Sequence, residues 1–116
     1  MSEGQNEEAM KQYTTPEQTA KLIELGFEKP RVAMPKFEWK DGEPQFRYTI
    51  GELIEMLPEN IAKQNENPST LNISLMDGEW CVQYADILGT DYEFCNTELV
   101  DALCDMILRL KERGVI

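Results

Sequence analysis

Cys95 is the residue whose position most invites chemistry. It stands just ahead of an amphipathic pattern that begins near Asn96, and a helix N-terminus lowers a thiol pKa and sharpens the thiolate as a nucleophile. The chain has no histidine, however, so no imidazole base, Ser-His couple or His-bearing zinc site is available. Glu93 and Glu98 flank the thiol and oppose its ionisation, so no catalytic or redox role is expected of it. Cys81, Cys95 and Cys104 are odd in number, widely spaced and without a CxxC pair, which argues against a disulfide framework. Cys104 falls on an apolar stripe and reads as a small core residue.

Carboxylates offer the second chemistry. Asp101 and Asp105, four apart, share one helical face, and Asp91 and Glu93 precede that helix. Like charges at this spacing repel unless a cation or an arginine relieves them, and Arg109, four beyond Asp105, is the ordinary partner. No stretch carries the alternating oxygen ligands of an EF-hand, and no Gly-rich phosphate loop occurs. The expectation is a solvated, ion-paired face, with no metal, no cofactor and no catalytic residue assigned.

The charge balance narrows the partners. There are 22 acidic and 11 basic side chains, a net charge of −11. From Gln64 to Leu108 there is no lysine or arginine at all, while nine acids occur. Such a chain repels phosphate backbones, so direct nucleic-acid binding is not expected. The bases gather instead at Lys29, Arg31, Lys36, Lys40 and Arg47, interleaved with Phe37, Trp39, Phe46 and Tyr48. The candidate interaction surface is therefore Phe37, Trp39, Phe46 and Tyr48 together with Asp91, Glu93, Asp101 and Asp105.

The elements that must position these residues follow from local patterns. Residues 1–13 are polar, aperiodic and read as a disordered tail, leaving 14–116 as one domain. Thr15-Pro16-Glu17-Gln18 is a capping box that opens a helix stopped by Gly26, with Phe27 folding back onto it. A hairpin is expected from Phe37 to Tyr48 around Asp41-Gly42, pairing Phe37 with Phe46 and Trp39 with Pro44. Thr49 and Glu52 form a second capping box. Behind it Ile50, Leu53, Ile54, Leu57 and Ile61 fall at helical spacing, with Glu52, Glu55 and Glu59 pointing away and Pro58 ending the helix. Lys63 to Ser69 reads as a polar loop.

The sharpest local signal lies between Thr70 and Asp86. An Asp77-Gly78 type I′ turn pairs Met76 with Glu79, Leu75 with Trp80, Ile73 with Val82 and Leu71 with Tyr84. Gly89 to Cys95 reads as a loop. A closing helix from Asn96 or Thr97 to Arg113 ends at Gly114, with a core stripe of Leu99, Leu103, Met106, Ile107 and Leu110. The fold class is α+β: a single small domain of antiparallel hairpins packed against about three α-helices.

The segments TPEQTAKLIELGF, YTIGELIEMLPENI and ELVDALCDMILRLKERGVI, with a strand pair bearing a tryptophan, resemble small uncharacterised proteins of phages and mobile elements of gut Bacteroidetes. The resemblance rests chiefly on residues 49–57 and 98–116 and implies a setting, with no activity or binding residue to carry over. No apolar run approaches the ~20 residues of a membrane span, and the acidic N-terminus is unlike a signal peptide, so a cytoplasmic location is expected. The functional expectation is a non-catalytic acidic module that acts through a protein partner or its own dimer. The alternatives are a DNA-mimic inhibitor of a basic nucleic-acid enzyme and a carboxylate- or metal-dependent hydrolase.

Overall fold

Thr15 and Thr49 open two helices by the same device. The computed structural model describes residues 11–63 and 66–116. Helix α1 spans Pro16–Glu24; the Thr15 hydroxyl accepts from the Gln18 amide at 3.0 Å, and the Gln18 side chain accepts from the Thr15 amide at 2.9 Å. Proline at the first helical position costs nothing, since its missing donor has no intrahelical partner there. The helix ends where Gly26 takes φ +101°, and the Phe27 amide then reaches back to the Leu22 carbonyl.

The segment after α1 departs from expectation. Strand β1, Val32–Ala33, pairs antiparallel with β2, Phe46–Arg47, as Val32↔Arg47 and Ala33↔Phe46. Between them lies a 3₁₀ turn, Lys36–Glu38, and a tight turn at Asp41-Gly42 closed by a single Lys40↔Glu43 bridge. The Asp41-Gly42 turn is thus present, but the long Phe37–Phe46 hairpin is not. Pro35 and Pro44 bracket the segment, and neither can donate to a ladder, so pairing stays local to the turn. The strand partner of Phe46 comes from before Pro35 instead.

Helix α2, Ile50–Met56, carries the second capping box, Thr49 with Glu52. It ends before Pro58, as expected, but Ile61 does not continue its face. Strand β3, Asn60–Lys63, begins there and pairs with β4, Glu66–Met76, so most of the expected polar loop from Lys63 to Ser69 is strand. Ile61 is buried opposite Ser69. Strand β5, Glu79–Asp86, follows the Asp77-Gly78 turn, where φ is +52° and +81°. All four expected β4–β5 pairs, from Met76↔Glu79 to Leu71↔Tyr84, are formed.

The largest correction is strand β6, Gly89–Asn96, which replaces the expected loop. Its turn is shaped by Asp86, whose carboxylate accepts from the amides of Leu88 and Gly89 at 2.8 and 3.1 Å. It adds to β5 and completes a four-stranded antiparallel meander, β3-β4-β5-β6. A bulge makes Asp91 the extra residue, since Tyr84 faces Tyr92 while Ala85 faces Thr90. Helix α3, Leu99–Glu112, then lies across β5 and β6.

Alternation decides the two faces of the sheet. Val82 and Tyr84 are fully buried, with Leu71, Ile73, Tyr92 and Phe94 beside them, and they meet Val100, Leu103, Met106, Ile107 and Leu110 of α3. Leu22, Leu53 and Leu57 close the core from α1 and α2. Three helices and two antiparallel sheets thus form one α+β domain among the described residues, with helices covering one face of the larger sheet. No helix among them is long and apolar enough to cross a membrane.

Residues Lys11–Tyr13 belong to this domain rather than to a tail. The Lys11 amide donates to Glu98 and its ammonium to Asp101, both at 2.7 Å, and Tyr13 bridges to Thr49. Lys11 thereby ties the segment to the start of α3, meeting Glu98 with its backbone N–H and Asp101 with its charge. The rest of the expected tail, 1–10, lies outside the described residues.

Candidate functional site

The eight candidate surface residues divide by environment. Phe37 projects from the 3₁₀ turn and is 84% exposed; Phe46, on β2, is 46% exposed. Phe46 lines a groove of about 410 Å³ with Ile23, Lys29 and Pro30. Trp39 is half-buried, its indole N–H donating to the Met34 carbonyl at 2.8 Å and its ring lying 5.8 Å from the Lys36 ammonium. Tyr48 is not a surface residue. It is buried at 1% exposure, its hydroxyl donates to the Glu28 carbonyl, and burial raises its pKa above the ordinary phenol value, with Glu52 adding to the effect. Strand alternation is the wrong guide here, because Tyr48 lies beyond β2 and turns inward as the chain enters α2.

The acids also separate. Asp91, at the bulge, accepts a hydrogen bond from Ser69, a fully buried serine on β4. Glu93 lies on the outer sheet face and accepts from the Gln83 side-chain Nε2 at 3.0 Å. Asp101 accepts from the Lys11 ammonium at 2.7 Å and from the Gln18 side-chain Nε2 at 2.8 Å. Burial works to raise its pKa, but those two donors outweigh it and hold the carboxyl below the usual range. Asp105 is pushed the other way, first by desolvation and then by the charge of Asp101. The expected relief by Arg109 is absent: that guanidinium pairs with Glu112 at 3.4 Å and lies 5.4 Å from the Phe94 ring. With one of the two helix-face carboxylates already tied, they do not form an open divalent site.

No hydrogen bond or ion pair among the described residues joins the aromatic group to the acidic group. The basic cluster is divided as well. Arg31 pairs with Glu52 and Glu55, and Arg47 with Glu38, while Lys29 and Lys40 make no ion pair among the described residues.

Neither a protein-family model, nor a curated protein, nor a solved structure matches the chain.

The structure overturns one chemical expectation outright. Cys81 of β5 and Cys95 of β6 are direct register partners and are joined as a disulfide, with Cα atoms 4.1 Å apart. Cys95 is therefore not a lone thiol at a helix N-terminus; α3 begins at Leu99, after the strand has ended. A carboxylate oxygen of Glu93 lies within 4.8 Å of both sulfurs. Reading Gly89 to Cys95 as a loop hides the pair. The signal that reveals it is the alternation Tyr92, Phe94, Asn96 against Glu93 and Cys95, which is strand period. Cys104 is buried in α3 as expected, and its thiol is pushed up to about 12 by burial and then by Asp101 and Asp105.

Proposed function

We propose that this protein is a non-catalytic interaction module, encoded by a phage or mobile element, whose docking surface is the β1–β2 ribbon and whose partner is a second copy. The observation that carries the reading is Phe37, which stands 84% exposed on a segment held in place on both sides. An aromatic that projects from an ordered segment exposes more apolar area than solubility favours, and such patches mark binding surfaces. Phe46 of β2 is exposed as well and lines a groove with Ile23, Lys29 and Pro30. Charge complementarity selects the occupant. Lys29 and Lys40 pair with no carboxylate among the described residues, whereas Glu79, Glu93 and Asp105 are exposed acids in the region without bases. A basic aromatic surface of one copy meeting the acidic surface of another gives a closed twofold dimer when both contacts form at once.

Sedimentation across protein concentration and salt tests it. A dimer that weakens with salt and is lost in Phe37→Ser is the expected result. A monomer at every concentration, or a dimer indifferent to the substitution, overturns the reading. Phe37 is the residue to change because Trp39 is hydrogen-bonded within the fold and its loss would confound docking with stability.

The DNA-mimic alternative has less behind it. Mimicry needs free carboxylates spaced like phosphates, and Asp91 and Asp101 are engaged by Ser69, Lys11 and Gln18.

A further inference from the structure

The outer face of the four-stranded sheet carries the Cys81–Cys95 pair. The flanking partners Trp80↔Asn96 and Val82↔Phe94 are in register on either side. Ladder hydrogen bonds therefore hold the sulfurs opposite each other whether or not the bond between them is present. The two sulfurs differ in access. Cys81 lies on β5, an interior strand flanked by β4 and β6, and is 5% exposed. Cys95 lies on β6, an edge strand, and is exposed. The third cysteine sits in the core on α3, where burial keeps it protonated and out of reach. Glu93, adjacent to both sulfurs, adds a negative charge to the approach.

We propose that Cys81 and Cys95 form a reversible thiol–disulfide exchange site, entered at the Cys95 sulfur and selective for cationic over anionic thiols. An external thiolate attacks Cys95 Sγ, forming a mixed disulfide and breaking the Cys81–Cys95 bond. The electron pair leaves on Cys81 Sγ, which takes a proton from water. A second external thiolate attacks the external sulfur of the mixed disulfide and releases Cys95, which is protonated in turn. Two thiols are thereby oxidised to one disulfide while the protein gains two protons and two electrons. Re-oxidation by a small-molecule disulfide reverses each step. The carboxylate of Glu93 repels an attacking thiol that carries its own carboxylates and attracts one that carries an ammonium. Glu93 also lies on the acidic face proposed above to meet a second copy, so the exchange is read at protein concentrations where the chain is monomeric.

The full chain treated with cysteamine, and separately with glutathione, provides the test. Alkylation mapped by mass spectrometry should show Cys81 and Cys95 opening together while Cys104 stays protected and the near-ultraviolet circular dichroism is kept. Cystamine should restore the bond. Cysteamine should act faster than glutathione, and Glu93→Gln should narrow that ratio. With cystamine as the probe, folded Cys81→Ser should form a mixed disulfide at Cys95 about tenfold or more faster than Cys95→Ser does at Cys81. A bond that opens only on denaturation, with Cys104 reacting alongside, makes the pair a static staple and overturns the proposal without needing either variant. Equal rates in the two variants overturn entry at Cys95, and a ratio unchanged in Glu93→Gln overturns the charge selectivity.

Discussion

Arg31, just ahead of β1, reaches Glu52 of α2: the guanidinium Nε lies 3.2 Å, and the Arg31 backbone amide 3.0 Å, from the same carboxylate oxygen. The other oxygen of Glu52 accepts from the Thr49 amide at 3.0 Å and completes the capping box. One buried carboxylate thus joins a helix start to the incoming chain. Helical periodicity alone would point it to solvent. The capping role turns it back toward its own N-terminus, where Arg31 covers it.

Glu52→Gln should destabilise the fold by about 1–2 kcal/mol at neutral pH, the scale of a lost cap with its partners. Desolvation works to raise the Glu52 pKa, but the Thr49 and Arg31 amides and the Arg31 side chain more than reverse it, so the folded value lies below the ordinary 4.5. A lowered value means its stabilisation is fully present above that pH and is lost as the pH falls through the folded value. Urea midpoints should therefore separate wild type from Glu52→Gln at neutral pH and converge in acid. A gap that persists undiminished in strong acid would refute the linkage.

Asp105 should behave with the opposite sign. Its folded pKa is raised above the ordinary 3.8, so its charged form opposes folding at neutral pH and the effect disappears once both states are protonated. Asp105→Asn should raise the neutral-pH midpoint slightly and leave the acid midpoint unchanged. No gain at neutral pH would refute the raised value, because neither desolvation nor the Asp101 charge would then oppose ionisation in the folded state.

Leu103 and Ile107 are fully buried on α3. Leu103→Ala or Ile107→Ala should each cost roughly 2–5 kcal/mol, combining lost transfer free energy with the cavity left behind. Chemical denaturation measures this directly, and unchanged midpoints would place the buried stripe elsewhere.

The Cys81–Cys95 link spans a sequence separation of 14. Closing a loop of that size restrains the unfolded chain, so the Cys81→Ser, Cys95→Ser double variant should be less stable than the oxidised protein by about 3 kcal/mol. Adding a reductant to the wild type should remove most of that difference. If reduced wild type keeps its advantage, packing at the buried Cys81 rather than the cross-link is responsible.

Elements specified by neighbours along the chain are legible in the amino-acid sequence. Both capping boxes, the Asp77-Gly78 turn with its β4–β5 register, and the apolar stripe of α3 depend on residues a few positions apart, so local chemistry decides them. The elements that escape such a reading depend on partners distant in sequence. Gly89–Asn96 becomes a strand because β5 offers it a free edge, and that pairing in turn brings Cys81 to Cys95, which no spacing rule connects. Phe46 pairs with Ala33 rather than Phe37 because Pro35 and Pro44 interrupt the nearer ladder, which leaves Phe37 in solvent. Tyr48 and Glu52 turn inward because Glu28 and Arg31, brought back by the turn after α1, supply the hydrogen bonds that offset the cost of their burial. Sequence alone determined which segments carry an apolar face. Only the tertiary structure decided which faces were covered, since coverage depends on what the rest of the chain brings alongside.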